Sequence, residues 1–334
     1  MNTGRALLDV RDLTVGFAHP KENGPPGLAV DGVTFQLQRG KTLCLVGESG
    51  CGKSMTALSL LRLPPSPPAL FLGGSVLFDG QYLAAMPESE LRRIRGNRVG
   101  MVFQDPMTSL NPVIRVGDQM TEGMRLHLGL SAGQARAKAV SLLDRVGLTD
   151  PEARILDFPH QMSGGMRQRV MIGMALACDP DLIVADEPTT ALDVTVQRQI
   201  LALLRAIVTS SGSALLLITH DFGVVSHIAD HVAVMYAGRI VEQGPATDIL
   251  ARPLHPYTIG LLHSRPGLEG GKKRLATIPG TVPGLWAMPK GCAFHPRCPE
   301  ALARCKEDAP PLVAFPPESG ERYSRCWRGT VAAQ

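Results

Sequence analysis

Gly47-Glu48-Ser49-Gly50-Cys51-Gly52-Lys53-Ser54 decides the fold, because of what stands on either side of it. Before it, Lys41-Thr42-Leu43-Cys44-Leu45-Val46 is a mostly apolar run of strand length; after it, Lys53 to Leu63 reads as a helix. In a strand–loop–helix unit of this kind, glycines at 47, 50 and 52 let backbone N–H groups turn inward onto phosphate oxygens. The helix start adds the positive end of its dipole. Lys53 then neutralises the β- and γ-phosphates and the Ser54 hydroxyl is placed to ligate Mg²⁺. Ser49, Cys51 and Met55 complete the phosphate-binding set, Cys51 through its backbone. A glycine-rich turn with no ligand is the plain alternative, and the full spacing disfavours it.

Working outward, Leu182-Ile183-Val184-Ala185-Asp186-Glu187 reads as a buried parallel strand that delivers two carboxylates at its C-terminal end, where open α/β sheets carry their chemistry. Asp186 is expected to hold Mg²⁺, and Glu187 to polarise an attacking water as general base. Between these halves lies Met162-Ser163-Gly164-Gly165-Met166-Arg167-Gln168, followed by an apolar helical stretch from Met166 to Cys178. Ser163 is a good N-cap, and the two glycines leave the first N–H groups unobstructed. That is a second anion site, and one triphosphate does not need two from one chain. The economical solution is a head-to-tail pair, in which this helix start reaches the γ-phosphate held by a partner's loop. Simple capping of a surface helix is the alternative.

Together these elements resemble the ATP-binding-cassette ATPases over nearly the whole chain. The resemblance implies an α/β fold: a P-loop cassette with a RecA-like core, an antiparallel β subdomain and a helical subdomain at about 113–180, spanning residues 1–260. An irregular, cysteine-containing C-terminal extension covers 261–334. It further implies that Phe17 stacks on adenine and that Gln104 reaches Mg²⁺ and links the site to a transmembrane partner. Asp193, in Ala191-Leu192-Asp193, corresponds to a loop crossing the dimer interface, and His220 to a switch histidine on the γ-phosphate. With Asp193, Ser163, Gly164 and Gly165 are expected to contact ATP in trans. Gln104-Asp105-Pro106-Met107-Thr108-Ser109-Leu110-Asn111-Pro112, Pro159-His160-Gln161-Met162-Ser163-Gly164-Gly165-Met166 and His255-Pro256-Tyr257-Thr258 resemble the oligopeptide/dipeptide-import group. Met166 stands where many cassettes have glutamine, the form carried by one of two paired ATPase subunits. The partners implied are a second, paralogous ATPase in a heterodimer, two transmembrane permease subunits and an extracytoplasmic solute-binding protein. The location implied is the cytoplasmic face of the inner membrane, as a peripheral subunit. The alternatives are a soluble, non-transport cassette ATPase, or an importer of nickel complexes or glutathione-like solutes.

Composition is consistent with this. The chain has 334 residues, 44% hydrophobic, with a net charge of +4; its mean hydropathy is +0.06. That length can bury a substantial core, and no apolar run approaches the roughly 18 residues that a spanning helix needs. Met1 to Asp12 has no apolar signal core, so a cytosolic protein is expected. Leu28 to Gln38 alternates in strand fashion, Pro64-Pro65-Ser66-Pro67-Pro68 reads as a helix stop and stiff connector, and two helical segments between Val116 and Gly147 part near Gly129 to Gly133. Residues 264–334 hold eleven Lys/Arg against six Asp/Glu. The basic residues are scattered rather than clustered, so no nucleic-acid partner is expected.

Four of the seven cysteines fall in that tail: Cys292, Cys298, Cys305 and Cys326, separated by five, six and twenty residues. Cys44 and Cys178 lie in apolar runs and read as small core residues. Clustered thiols in a reducing compartment suggest a metal rather than disulfides, but the Cys-x-x-Cys knuckles common in zinc sites are missing. From spacing, iron–sulfur, zinc and unligated thiols stand level. Gly291-Cys292-Ala293-Phe294-His295-Pro296-Arg297-Cys298-Pro299 resembles the C-terminal extension of peptide-importer ATPases, some of which bind a [4Fe–4S] cluster. The resemblance implies such a cluster on the four cysteines, with Zn²⁺ as the alternative and Arg297, Arg304, Lys306 and Arg325 offsetting its charge.

Overall fold

The computed structural model describes residues 5–21, 24–65, 69–190, 192–264, 277–315 and 322–328. The described strands are, in chain order, β1 (Leu8–Phe17), β2 (Gly27–Leu37), β3 (Thr42–Val46), β4 (Ala69–Phe78), β5 (Gln81–Tyr82), β6 (Val99–Val102), β7 (Leu182–Asp186), β8 (Ala214–Thr219), β9 (His231–Tyr236), β10 (Arg239–Pro245), β11 (Val313–Phe315) and β12 (Arg322–Ser324). The chain divides into two compact units.

One unit comprises Met1–Leu7, Leu37–Thr42 and Ala85–Ile218. Here β6, β7 and β8 lie side by side and parallel, with Val99 opposite Leu182 and Leu182 opposite Ala214. Every residue of β7 and β8 is buried. A parallel strand is covered on both faces, so its sequence is continuously apolar rather than alternating. The helical pair expected before the S-G-G element is Val116–Leu128 and Ala132–Arg145, parted at Gly129 (φ 66°). The second helix opens with a capping box: Gln134 N–H donates to Ser131 Oγ and Ser131 N–H to Gln134 Oε1. The start of β7 is tied down by Asp181, which receives Arg39 at 2.6 Å and Arg98 at 2.8 Å.

The other unit comprises Leu8–Gln36, Leu43–Ala84 and Thr219–Gln334. One sheet, ordered β2–β1–β4–β5, is the expected antiparallel one, with β1 and β4 paired from Leu8↔Phe78 to Phe17↔Ala69. The remaining strands of this unit follow in the hydrogen-bonded order β11–β12–β10–β9–β3; β3 and β9 are parallel, the rest antiparallel. The C-terminal stretch is thus not irregular throughout. β12 lies on β10, with Glu242 opposite Ser324. Arg322 Nη2 donates to Glu242 Oε1 at 2.8 Å, both side chains being almost completely buried.

The helix after the phosphate loop is Lys53–Leu60, shorter than the expected 53–63. Arg62 adopts φ 53°, in the left-handed region, and Leu63 N–H turns back to the Leu58 carbonyl at 2.9 Å. Of the proline connector, Ser66, Pro67 and Pro68 lie outside the described residues. The S-G-G helix is Gly164–Ala175, starting two residues earlier than its apolar periodicity indicates because Ser163 is itself the cap. No helix among the described residues is long and apolar enough to cross a membrane.

Candidate active site and cysteine pocket

The phosphate loop belongs to the unit that contains β3 and β9. Its glycines are required by what surrounds them. A Cβ on Gly47 would lie 2.3 Å from the Met235 carbonyl oxygen. One on Gly52, which adopts φ 104°, would lie 2.2 Å from the Ala29 carbonyl oxygen. Gly50, at φ 78°, and Ser49 form the exposed crest, and Cys51 is buried. Gly52 caps the helix Lys53–Leu60 with no side-chain hydrogen bond. Buried Lys53 directs its Nζ back onto the loop, donating to the carbonyls of Gly47 at 2.8 Å and Glu48 at 2.9 Å. Ser54 and Met55 are half-buried on the first turn; Phe17 is half-buried at the end of β1, and His220 is exposed just after Thr219. A narrow turn of backbone amides with a lysine folded into it is built to take a polyphosphate.

The carboxylates belong to the unit of parallel strands. Asp186 ends β7 almost fully buried, and its Oδ1 accepts no hydrogen bond from the described residues. A hard anionic oxygen in that state fits Mg²⁺. Glu187 follows in the left-handed region at φ 45°, held by its N–H to the Ile218 carbonyl at 3.0 Å. A non-glycine residue there stores strain of the kind concentrated at active sites. Its Oε2 accepts from Thr190 Oγ1 at 2.9 Å and lies 3.5 Å from Nε2 of the exposed Gln104. The geometry holds one oxygen of the Glu187 carboxylate in place at the strand end. Thr190 was not among the expected site residues; its nearness to Glu187 in Glu187-Pro188-Thr189-Thr190 is the only sequence signal for it.

Ser163 caps its helix as expected, its Oγ accepting from Met166 N–H at 3.3 Å. A Cβ on Gly164 would meet nothing within 4 Å, and one on Gly165 only Val196 Cγ1 at 3.4 Å. Local packing therefore does not require either glycine. Asp193 caps the helix Val194–Ser211, accepting from Val196 N–H at 2.9 Å; Ala191 lies outside the described residues.

Cys44 and Cys178 are buried, as expected of core thiols. Cys292, Cys298, Cys305 and Cys326 line a single pocket. Burial pushes the Cys298 thiol up to about 11, the other three thiols adding to the rise. Among the described residues, however, no group of three or more His, Cys, Asp or Glu is gathered tightly enough to hold a metal ion. Arg297 does not serve the cysteines as expected. Its Nη1 and Nη2 donate to the two carboxylate oxygens of Glu48 at 2.6 and 2.8 Å.

The ABC transporter family matches residues 30–190, and the oligopeptide/dipeptide transporter C-terminal region matches 241–305, a span holding Cys292, Cys298 and Cys305. The chain is 50% identical over 323 residues to a probable peptide ABC transporter ATP-binding protein of Sinorhizobium fredii, covering 96% of this chain and 95% of the relative. It is 50% identical over 311 residues to the oligopeptide transport ATP-binding protein OppD of Salmonella typhimurium, covering 93% and 91%. Its fold is similar to the post-hydrolysis dimer of the ATP-binding cassette MJ0796 bound to ADP and Pi, with a TM-score of 0.64 and 25% identity over 72% of this chain and 98% of that one. A phosphate loop, a strand-end carboxylate pair and a serine-capped glycine helix define an ATP-hydrolysing cassette. The chain belongs to the ATP-binding proteins of ABC transporters, in the oligopeptide/dipeptide group.

Proposed function

We propose that this chain powers uptake of di- or oligopeptides by closing head to tail on a paralogous ATPase subunit. MgATP binds to the phosphate loop, with Phe17 on the adenine and Ser54, Gln104 and Asp186 as the Mg²⁺ ligands. Mg²⁺ supplies charge neutralisation on the phosphates; Glu187 takes the proton of the attacking water, and His220 contacts the γ-phosphate. Ser163, Gly164, Gly165 and Asp193 serve the nucleotide held by the other subunit. The observation that carries this reading is the serine-capped helix start: among the described residues a Cβ on Gly164 would meet nothing within 4 Å and one on Gly165 only Val196, at ordinary contact distance. Closure pulls on two permease subunits through the Gln104 segment at the cytoplasmic face of the inner membrane, and a solute-binding protein delivers the peptide. The oligopeptide transport relatives favour peptide over nickel complexes or glutathione-like solutes. Uptake of labelled peptide into vesicles carrying the whole transporter tests this. Peptide-dependent ATP turnover is expected, and turnover stimulated only by a nickel complex or glutathione would overturn the cargo assignment.

We also infer a [4Fe–4S] cluster on Cys292, Cys298, Cys305 and Cys326. What supports it is a set of four thiols around one pocket, the donor chemistry that such clusters take; the thiols would have to draw together around the cluster. Anaerobically purified protein is expected to contain about four iron per chain and to lose them on Cys298→Ser. Stoichiometric zinc, or no metal, would overturn it.

A further inference from the structure

Glu48 places an acid in a loop whose ligand is a polyanion. It follows Gly47, and its own carbonyl accepts from Lys53 Nζ at 2.9 Å. Uncompensated, a carboxylate at this position opposes the charge of Lys53 and repels phosphate.

It is compensated from far along the chain. The Arg297 guanidinium meets Glu48 with both terminal nitrogens, at 2.6 and 2.8 Å, while Nε donates to the Pro279 carbonyl at 2.7 Å. The same group lies 5.7 Å from the centre of the Tyr236 ring. Only an arginine presents such a planar fork and a stacking face together. Arg297 is 6% exposed while Glu48 is half-buried, so the arginine side of the pair is sheltered from salt more than in a surface pair. Glu48 N–H is also engaged, donating to the Tyr257 oxygen at 2.8 Å. Tyr257 and Tyr236 both pack against Phe294, three residues before Arg297, with ring centroids 5.3 and 5.2 Å apart. The segment between Cys292 and Cys298 is thereby clamped onto the phosphate loop.

We propose that Arg297 is a positioning residue that sets the charge of the phosphate loop, cancelling Glu48 so that the loop can accept a polyphosphate. The proposal rests on the nucleotide reading of that loop. It also gives the cysteine-bearing segment a direct hold on nucleotide affinity, since Arg297 immediately precedes Cys298.

The test is calorimetric titration of the full-length chain with the magnesium salt of a non-hydrolysable ATP analogue. One uncompensated charge beside a bound polyphosphate corresponds to roughly tenfold in affinity. Arg297→Ala is expected to weaken binding about tenfold, Glu48→Gln to tighten it several-fold, and the double variant to return close to the parent. A bridge that only holds the fold together would move both single variants in the same direction. Weakening by Glu48→Gln, or no recovery in the double variant, therefore overturns the proposal. If Arg297→Ala does not fold, Glu48→Gln decides alone: tightening upholds the proposal, and unchanged or weaker binding overturns it. Failure of the parent chain to bind the analogue would instead overturn the nucleotide reading itself.

Discussion

Gln104 and Thr190 converge on one oxygen of Glu187: Gln104 Nε2 lies 3.5 Å from Glu187 Oε2, to which Thr190 Oγ1 donates at 2.9 Å. The carboxylate at the strand end is therefore aimed by two neighbours, and the closer of the two is the threonine. Thr190→Val removes that hydrogen bond while conserving shape. Loss of one bond to a charged group is worth about 1.5–3 kcal/mol. Steady-state assays should show kcat reduced at least tenfold with KM for ATP little changed, because the bond orients the base rather than binding nucleotide. An equal rise in KM at constant kcat would assign Thr190 to binding.

Gly52 sits where the chain turns from loop to helix at φ 104°, its missing side chain facing the Ala29 carbonyl. In Gly52→Ala the added methyl cannot be accommodated without moving backbone. Nucleotide binding, followed by titration, should fall at least about a hundredfold, with the loop rather than the whole fold disrupted. Near-normal affinity in this variant would show that the loop does not bind in the described conformation.

His255 offers a pH signature. It is completely buried, and burial lowers its pKa to about 3. The neutral ring accepts the Tyr257 N–H on Nδ1 at 3.1 Å. The unfolded chain takes up this proton as pH falls through about 6.5, whereas the folded chain does not until about 3. Below about pH 6.5 the unfolded state therefore binds more protons, and stability declines by up to ~1.4 kcal/mol per pH unit down to about pH 3. Thermal melts of His255→Asn, which keeps a capping oxygen, should lose about 2 kcal/mol less than the parent between pH 6.5 and 5. Parallel curves would place His255 in water.

Much of this was legible in the chain. β7 and β8 announce themselves as continuous apolar runs because both of their faces are covered, and Ser163 before two glycines marks a cap from purely local chemistry. Other features carry no local mark. β12 is three residues long, too short for any alternation to register, and is a strand only because β10 offers an edge. Leu70, Phe71 and Leu72 in β4 are apolar yet exposed, so hydropathy alone misplaces them. The Glu48–Arg297 pair joins positions 249 apart, and nothing near either residue indicates the other. Charge at Arg297 was legible; its destination was not.

Glu187 is the group proposed to take the proton from water. Glu187→Gln keeps the shape and removes the base. Assayed in the assembled transporter, this variant should lose at least about a hundredfold in ATP turnover while still binding MgATP and holding it in a closed dimer. Turnover equal to that of the parent would contradict the assignment of Glu187 and the mechanism built on it.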